Sequence, residues 1–374
     1  MADNNENKVL NVPHLRFPEF SGEWNKYTIN DLATVVGGGT PDTTVKSYWG
    51  GDIQWFTPSE IGKNKYVDFS KRTITRDGLD NSSAKLLPLH TILLSSRATV
   101  GECSIASNEC TTNQGFQSLI AKQCNIDFLY YLIQTKKKDL IRNACGSTFL
   151  EISANEIRKI KVAVPVQNEQ EQIAKLLSLI DERIATQNKI IKKLQSLIKG
   201  ITILLATKGK PNTTIAQCLE CHSSTLQENE VSHSGLYKVF GANGLLGYTD
   251  MPQMNGDSIL IIKDGSGVGT VFYAQGEFSV IGTLNYLTAI SNYDLRYLYF
   301  VLSVFNFQSY KTGMAIPHIY FKDYGNAKIY CPPLSEQKRI ANVLGKLESK
   351  LCLEQNILAS FNLQKRYLLG QMFI

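Results

Sequence analysis

One internal repeat constrains this chain more than any other feature. Sliding the sequence by 167 residues sets Gly146 on Gly313, Ile152 on Ile319, Lys161 on Lys328, Pro165 on Pro332 and Glu169-Gln170 on Glu336-Gln337. The same shift brings Ile173-Ala174 onto Ile340-Ala341, Leu177 onto Leu344 and Ile190 onto Ile357, and sets Asp127 and Tyr130 against Asp294 and Tyr297. Matches that keep one register over more than 60 residues argue for duplication of a single plan, and a period this long means duplicated domains, not a short-repeat solenoid. A chain of 374 residues divided in this way gives each copy enough length to bury a core of its own.

Each copy closes on the same element. After Pro165, apolar residues recur at alternating steps of four and three: Ile173, Leu177, Ile180, Ile184, then Gln187, then Ile191, Leu194, Ile198, Ile201 and Leu205. The second copy repeats the stripe after Pro332-Pro333 with Ile340, Leu344, Leu347, Leu351, Glu354, Leu358, Phe361, Lys365, Leu368 and Met372. That spacing is the seam of a coiled coil and predicts two long helices that pack on each other, in an arrangement expected to be antiparallel. Asn168 and Ser335 are the expected N-caps, with Glu169 and Glu336 in the first turn. Gln187 and Glu354 interrupt the seam at equivalent places; they either fix the register of the pair or sit where a change of crossing angle lets in water.

Ahead of each helix the pattern changes to short β-type runs (92 to 94, 258 to 262, 271 to 273), Gly-rich turns such as Gly37-Gly38-Gly39 and Gly265-Ser266-Gly267, and one late aromatic stretch (128 to 133, 297 to 305). The fold class expected is α+β: two α/β domains in tandem, 11–163 and 208–330, each followed by a long helix, 164–207 and 331–374. The linker Lys208-Gly209-Lys210-Pro211-Asn212 marks the junction.

Composition narrows the class. Apolar residues at 43%, charged residues at 19%, 16 Phe and 17 Tyr exclude a disordered or collagen-like chain. The net charge of +6 allows nucleic acid without demanding it. The polar start and the shortness of the apolar runs 201 to 206 and 297 to 305 predict no secretion signal and no transmembrane helix. Eight Cys then read as reduced thiols, and the expected location is cytoplasmic.

No motif amounts to an active site. Cys218-Leu219-Glu220-Cys221-His222 has the letters of a c-type haem attachment, and Cys218, Cys221 and His233 lack a fourth zinc ligand at finger spacing, so packing is the expected role. Gly265, Gly267 and Gly269 are not followed by the Lys-Ser/Thr of a P-loop. Pro41-Asp42, Glu60 and Lys63 miss nuclease spacing by one residue, and Cys331-Pro332-Pro333-Leu334 lacks the amide and the aromatic of a methyltransferase loop. Five scattered His make no triad.

The opening Phe17-Pro18-Glu19-Phe20-Ser21-Gly22-Glu23-Trp24, then Gly39-Thr40-Pro41, then Tyr48-Trp49-Gly50-Gly51-Asp52-Ile53 with Trp55-Phe56-Thr57-Pro58-Ser59-Glu60-Ile61, resemble the first target-recognition domain of specificity subunits of type I restriction-modification systems. Residues 165 to 180, and their echo from Pro332 to Ala341, resemble that family's central and C-terminal conserved regions. The resemblance implies a non-catalytic subunit that reads an asymmetric bipartite target in double-stranded DNA, with the helices as a spacer. It further implies two methyltransferase subunits and restriction/translocase subunits as partners, which would carry S-adenosylmethionine, ATP and Mg, with no cofactor or metal in this chain. A self-contained nuclease or methyltransferase, and a coiled-coil scaffold for proteins, are the alternatives. Base and phosphate contacts call for Lys, Arg and amide side chains on loops, so the candidates are Lys63, Lys65, Arg72, Arg76 and Arg97 in the first domain and Lys238, Asn243, Lys263 and Lys311 in the second.

Overall fold

A computed structural model describes residues 11–146 and 150–374. The chain divides into two compact units, Met1–Gln187 with Leu358–Ile374, and Asn188–Ile357, so each unit takes part of both long helices. These helices run over Gln167–Ala206 and Leu334–Gln371.

In the first unit a five-stranded sheet places its strands in the spatial order Ala33–Gly37, Gln117–Ala121, Ile92–Leu94, Cys103–Ala106 and Tyr66–Val67. A three-stranded sheet pairs Trp49–Phe56 antiparallel with Arg72–Ile74 and parallel with Cys110–Thr112. In the second unit two four-stranded sheets are centred on the pairs Leu284–Ala289 with Ser258–Ile262 and Tyr237–Gly241 with Glu277–Val280. The β-type runs of the sequence are therefore strands: Ile92–Leu94 and Ser258–Ile262 are buried at every position, and Val271–Ala274 is half-buried.

The duplication is legible in individual hydrogen bonds. Thr28 pairs with Lys161 and Thr214 with Lys328, and in both copies the threonine opens a one-turn helix through a capping box, with Asp31 or Gln217 returning the bond. Ile29 N–H donates to Ile160 and Ile215 N–H to Ala327, again 167 residues apart on the accepting side. Cys145 and Glu151 exchange both backbone hydrogen bonds, as do Thr312 and His318. Each of these closures leans on a second strand residue, Arg97 or Asp264. Gly146 and Gly313, next to Cys145 and Thr312, take φ +121° and +86°, a region that favours glycine.

At the aromatic helices, Ile126–Thr135 and Leu295–Ser303, the structure shifts the sequence register. Asn125 caps the first through the N–H of Phe128, and Asp294 caps the second through the N–H of Tyr297. The true counterparts are thus Asn125 and Asp294, two residues away from the match of Asp127 to Asp294. Local capping chemistry sets this end of the helix, and Asp and Asn serve it equally.

The caps expected for the long helices are also corrected. The helices begin at Gln167 and Leu334, so Asn168 and Ser335 lie inside the first turn. One turn in, the side-chain amides of Gln170 and Gln337 bond residues ahead of the helices. Gln170 donates to the Pro165 carbonyl at 2.9 Å and accepts from Asn125 N–H at 3.0 Å; Gln337 donates to the Pro332 carbonyl at 2.8 Å and accepts from Asp294 N–H at 2.9 Å. One buried amide in each copy satisfies a strand-end carbonyl and ties the long helix to the cap of the aromatic helix.

All the seam positions of both helices are buried or half-buried, including Gln187 and Glu354 at 6% exposure each, while the off-seam Leu179, Leu197, Leu204, Leu353 and Leu363 are exposed. In the first unit, Ile173, Leu177 and Ile180 share a core with Leu368 and Met372, and Asp181 meets Lys365 at 2.7 Å. In the second, Ile201 and Leu205 pack with Ile340 and Leu344, and Lys208 meets Glu336 at 3.2 Å. In each unit the start of one helix lies beside the end of the other, which is antiparallel pairing.

Candidate nucleic-acid interface

A glycine-rich turn builds the most distinctive cluster on the first domain. Gly38 and Gly39 run so close to their neighbours that a Cβ would lie 2.0 Å from the Asn113 carbonyl oxygen and 2.3 Å from the Ser83 carbonyl carbon, so only glycine fits. This turn receives the indole N–H of Trp55 on the Gly39 carbonyl at 2.9 Å and that of Trp49 on the Asp42 carbonyl at 3.1 Å. The rings meet edge-on, 5.0 Å apart. Thr40, on the same turn, hydrogen-bonds the side chain of the exposed Gln114. Arg72, opposite Trp55 on the adjacent strand, lies 3.6 Å from the ring centre of Trp49.

The structure brings some of the candidate residues to this cluster and takes others elsewhere. Arg72 belongs to it, and Arg76, exposed, follows on the next helical turn, where it pairs with Asp80 at 3.3 Å. Lys63 is exposed on a separate loop. Lys65 has an internal job: its side chain is 8% exposed, paired with Asp127 at 2.8 Å and bonded to Ser178 of the long helix at 2.6 Å. Held by these partners, the Lys65 ammonium fastens the domain to the long helix. Arg97 is paired with Glu151 at 2.7 Å and bridges to it through the backbone, beside Cys145. Lys137 pairs with Glu102, and Lys136 donates to the Ile374 carbonyl.

In the second domain Lys238 is exposed on a strand and Asn243 is exposed at the turn that follows it. Lys263 and Lys311 are half-buried and lie on either side of the tight loop 312–318, whose Met314 and Ile316 are exposed. Lys263 forms backbone bonds to Thr283 and Ile319 there, and a glycine at 265 donates to the Pro317 carbonyl. Asp264, the counterpart of Arg97, reverses the charge at that place.

The Cys218–His222 segment is a packing element. Leu219–Ser223 is a strand, His222 bonds Thr288 at 3.0 Å and stacks on Tyr286, and the sulfurs of Cys218 and Cys331 lie 4.0 Å apart in the core. Cys331 holds its proton well above the usual thiol range because it donates to Cys218. Among the described residues no group of His, Cys, Asp and Glu could hold a metal ion, and no helix is long and apolar enough to cross a membrane.

Sequence reasoning missed Trp49, Trp55, Thr40 and Gln114 as parts of a site. The aromatic-glycine pattern 37 to 55 was visible, but only strand pairing sets Arg72 on Trp49.

Comparison with known proteins agrees with this architecture. The family model for the type I restriction modification DNA specificity domain matches residues 21–196 and 217–362, once in each copy. The MjaIX specificity subunit of a type I restriction enzyme from Methanocaldococcus jannaschii is 39% identical over 46% of this chain, and that match spans 42% of the relative's own length, less than half of it. The EcoprrI specificity subunit from Escherichia coli is 24% identical over 87% of this chain and 88% of its own. Among solved structures, the S subunit of a type I restriction-modification system from M. genitalium shares the fold, with a TM-score of 0.66 and 19% identity over 97% of this chain and 99% of that one. With a family match in each half of a duplicated chain, this protein belongs to the type I restriction modification DNA specificity family.

Proposed function

We propose that the chain is the DNA sequence-recognition subunit of a type I restriction-modification complex. The observation that carries this reading is one duplicated frame supporting two unlike faces. The terminal strand pairs, the capping boxes, the buried Gln170 and Gln337 amides and the Cys145–Glu151 and Thr312–His318 bonds recur in both copies, whereas the sheets between them differ, five and three strands against four and four. A frame kept constant around surfaces that differ is what two readers of two different half-sites need, and it makes the target asymmetric. The recognition domains are 11–163 and 208–330, and the helices serve as the spacer between half-sites.

In this reading the chain itself does not catalyse. Two methyltransferase subunits and restriction/translocase subunits act on double-stranded DNA in the cytoplasm, and S-adenosylmethionine, ATP and Mg belong to them. The net charge of +6 suits a reader whose partners share the electrostatic contact. Methylated bases are to be mapped across the host genome with and without this gene. Loss of one asymmetric split motif is the expected result; an unchanged pattern from an expressed locus overturns the reading.

A further inference from the structure

This inference rests on the DNA-recognition reading and concerns how the first domain reads a base. Arg72 has its guanidinium carbon 3.6 Å from the ring centre of Trp49 and 5.5 Å from that of Trp55. Both indoles are pinned through their N–H groups to the Gly39 and Asp42 carbonyls, so the surface under the guanidinium is fixed. The backbone of Arg72 is fixed too, since its carbonyl accepts from Ser70 Oγ at 2.6 Å.

The charge of Arg72 is the second observation. Arg76, on the next turn, is paired with Asp80, and Arg97, Lys65 and Lys137 of the same unit are paired with Glu151, Asp127 and Glu102. Among the described residues, no carboxylate lies within ion-pair distance of Arg72, although its side chain is exposed. An indole face covers one side of a guanidinium but accepts none of its in-plane N–H bonds. Those donors point outward in a plane whose orientation is set by a rigid ring. Two acceptors side by side in one plane satisfy them best, and guanine presents this pair, O6 and N7, in the major groove. A phosphate can also accept from the fork, but such a contact tolerates any base, so the loss of one guanine distinguishes the two.

We propose that Arg72, laid flat on Trp49, reads one guanine in the half-site recognised by the first domain, with Trp49 and Trp55 as positioning residues.

The test is methylated-motif mapping in a host that carries the complete system with Arg72→Lys, Arg72→Ala, Trp49→Phe or Trp49→Ala. Arg72→Lys keeps the charge but loses the fork and the stack. It is expected to lower modification of the normal motif by about tenfold or more, or to relax one guanine in one half of it, while the other half stays as stringent as before. Trp49→Phe, which keeps a flat face, should retain the guanine better than Trp49→Ala. Wild-type stringency and level in Arg72→Lys overturn the proposal. So does a uniform loss in Arg72→Ala at all sites with a salt slope lower by about one, because that marks a phosphate contact. A split motif in the unmodified system shows that the DNA-recognition reading stands even where this proposal falls; if deleting the gene alters no motif, the reading itself has failed.

Discussion

Arg16 grips Glu169 through two contacts of 2.7 Å, from Nε and from a terminal nitrogen, and the carboxylate they hold is completely buried. Trp24 adds an indole N–H at 3.2 Å. The opening segment of the chain is thereby locked to the first turn of the long helix, where the exposed N–H groups favour a negative charge. The hydrogen bond and the charge of Glu169 hold the Arg16 proton still more tightly than usual.

Glu169→Ala leaves a largely covered guanidinium without its partner and should cost about 3 kcal/mol in urea unfolding. The counterpart Glu336 faces Lys208, whose side chain is 58% exposed, at 3.2 Å, so Glu336→Ala should cost less than about 1 kcal/mol. Equal losses in the two variants would contradict this account.

Gln170 and Gln337 do the same work in different units and share no partner. Replacing either with Leu strands a buried proline carbonyl and a backbone N–H, at a cost of about 1 to 3 kcal/mol each. The double variant should show the sum of the single effects within about 0.5 kcal/mol. A larger deviation would mean that the units communicate through these turns.

Gln187→Leu with Glu354→Leu removes the polar break in the middle of each seam. Because the two positions are buried, the double variant should gain roughly 1 kcal/mol or more in stability and change its oligomeric state, read by thermal melting and light scattering. No change in either quantity would show that these residues do not set the pairing.

Thiol chemistry should separate along burial. Cys145 and Cys352 are exposed, whereas Cys103, Cys110 and Cys124 are buried and pushed up to about 12 by desolvation. A maleimide at neutral pH is expected to modify the first two in the native protein and the last three only after unfolding. The same shifts predict the alkaline limb of stability. Between the unfolded thiol value of about 9 and the folded values near 12, the folded chain binds more protons, so its stability is full below pH 9 and falls as pH rises above it. Denaturant midpoints that rise between pH 8 and pH 10.5 would contradict the assignment.

Arg97→Ala removes an ion pair whose side chains are 45% and 41% exposed, so stability should change by under about 1 kcal/mol. If Arg97 contacts a phosphate, the salt slope of DNA binding should fall by about one with the motif unchanged. An unaltered slope removes it from the interface.

The sequence by itself determined the duplication, the two long helices and their seams, because each of these depends on spacing along the chain. A 167-residue register and alternating steps of four and three survive without any knowledge of space. It also pointed to the family through local motifs such as Gly39-Thr40-Pro41 and Trp49. It did not show the amide ties of Gln170 and Gln337 or the inward partners of Lys65, because a side chain's partner is set by what the fold brings to it from far along the chain. Lys65 meets Ser178 across 113 residues, Arg16 meets Glu169 across 153, and Arg72 reaches Trp49 only when two strands pair. Whether a charge is spent inside the protein or left for DNA is a matter of burial and neighbours, and those only the tertiary structure decided.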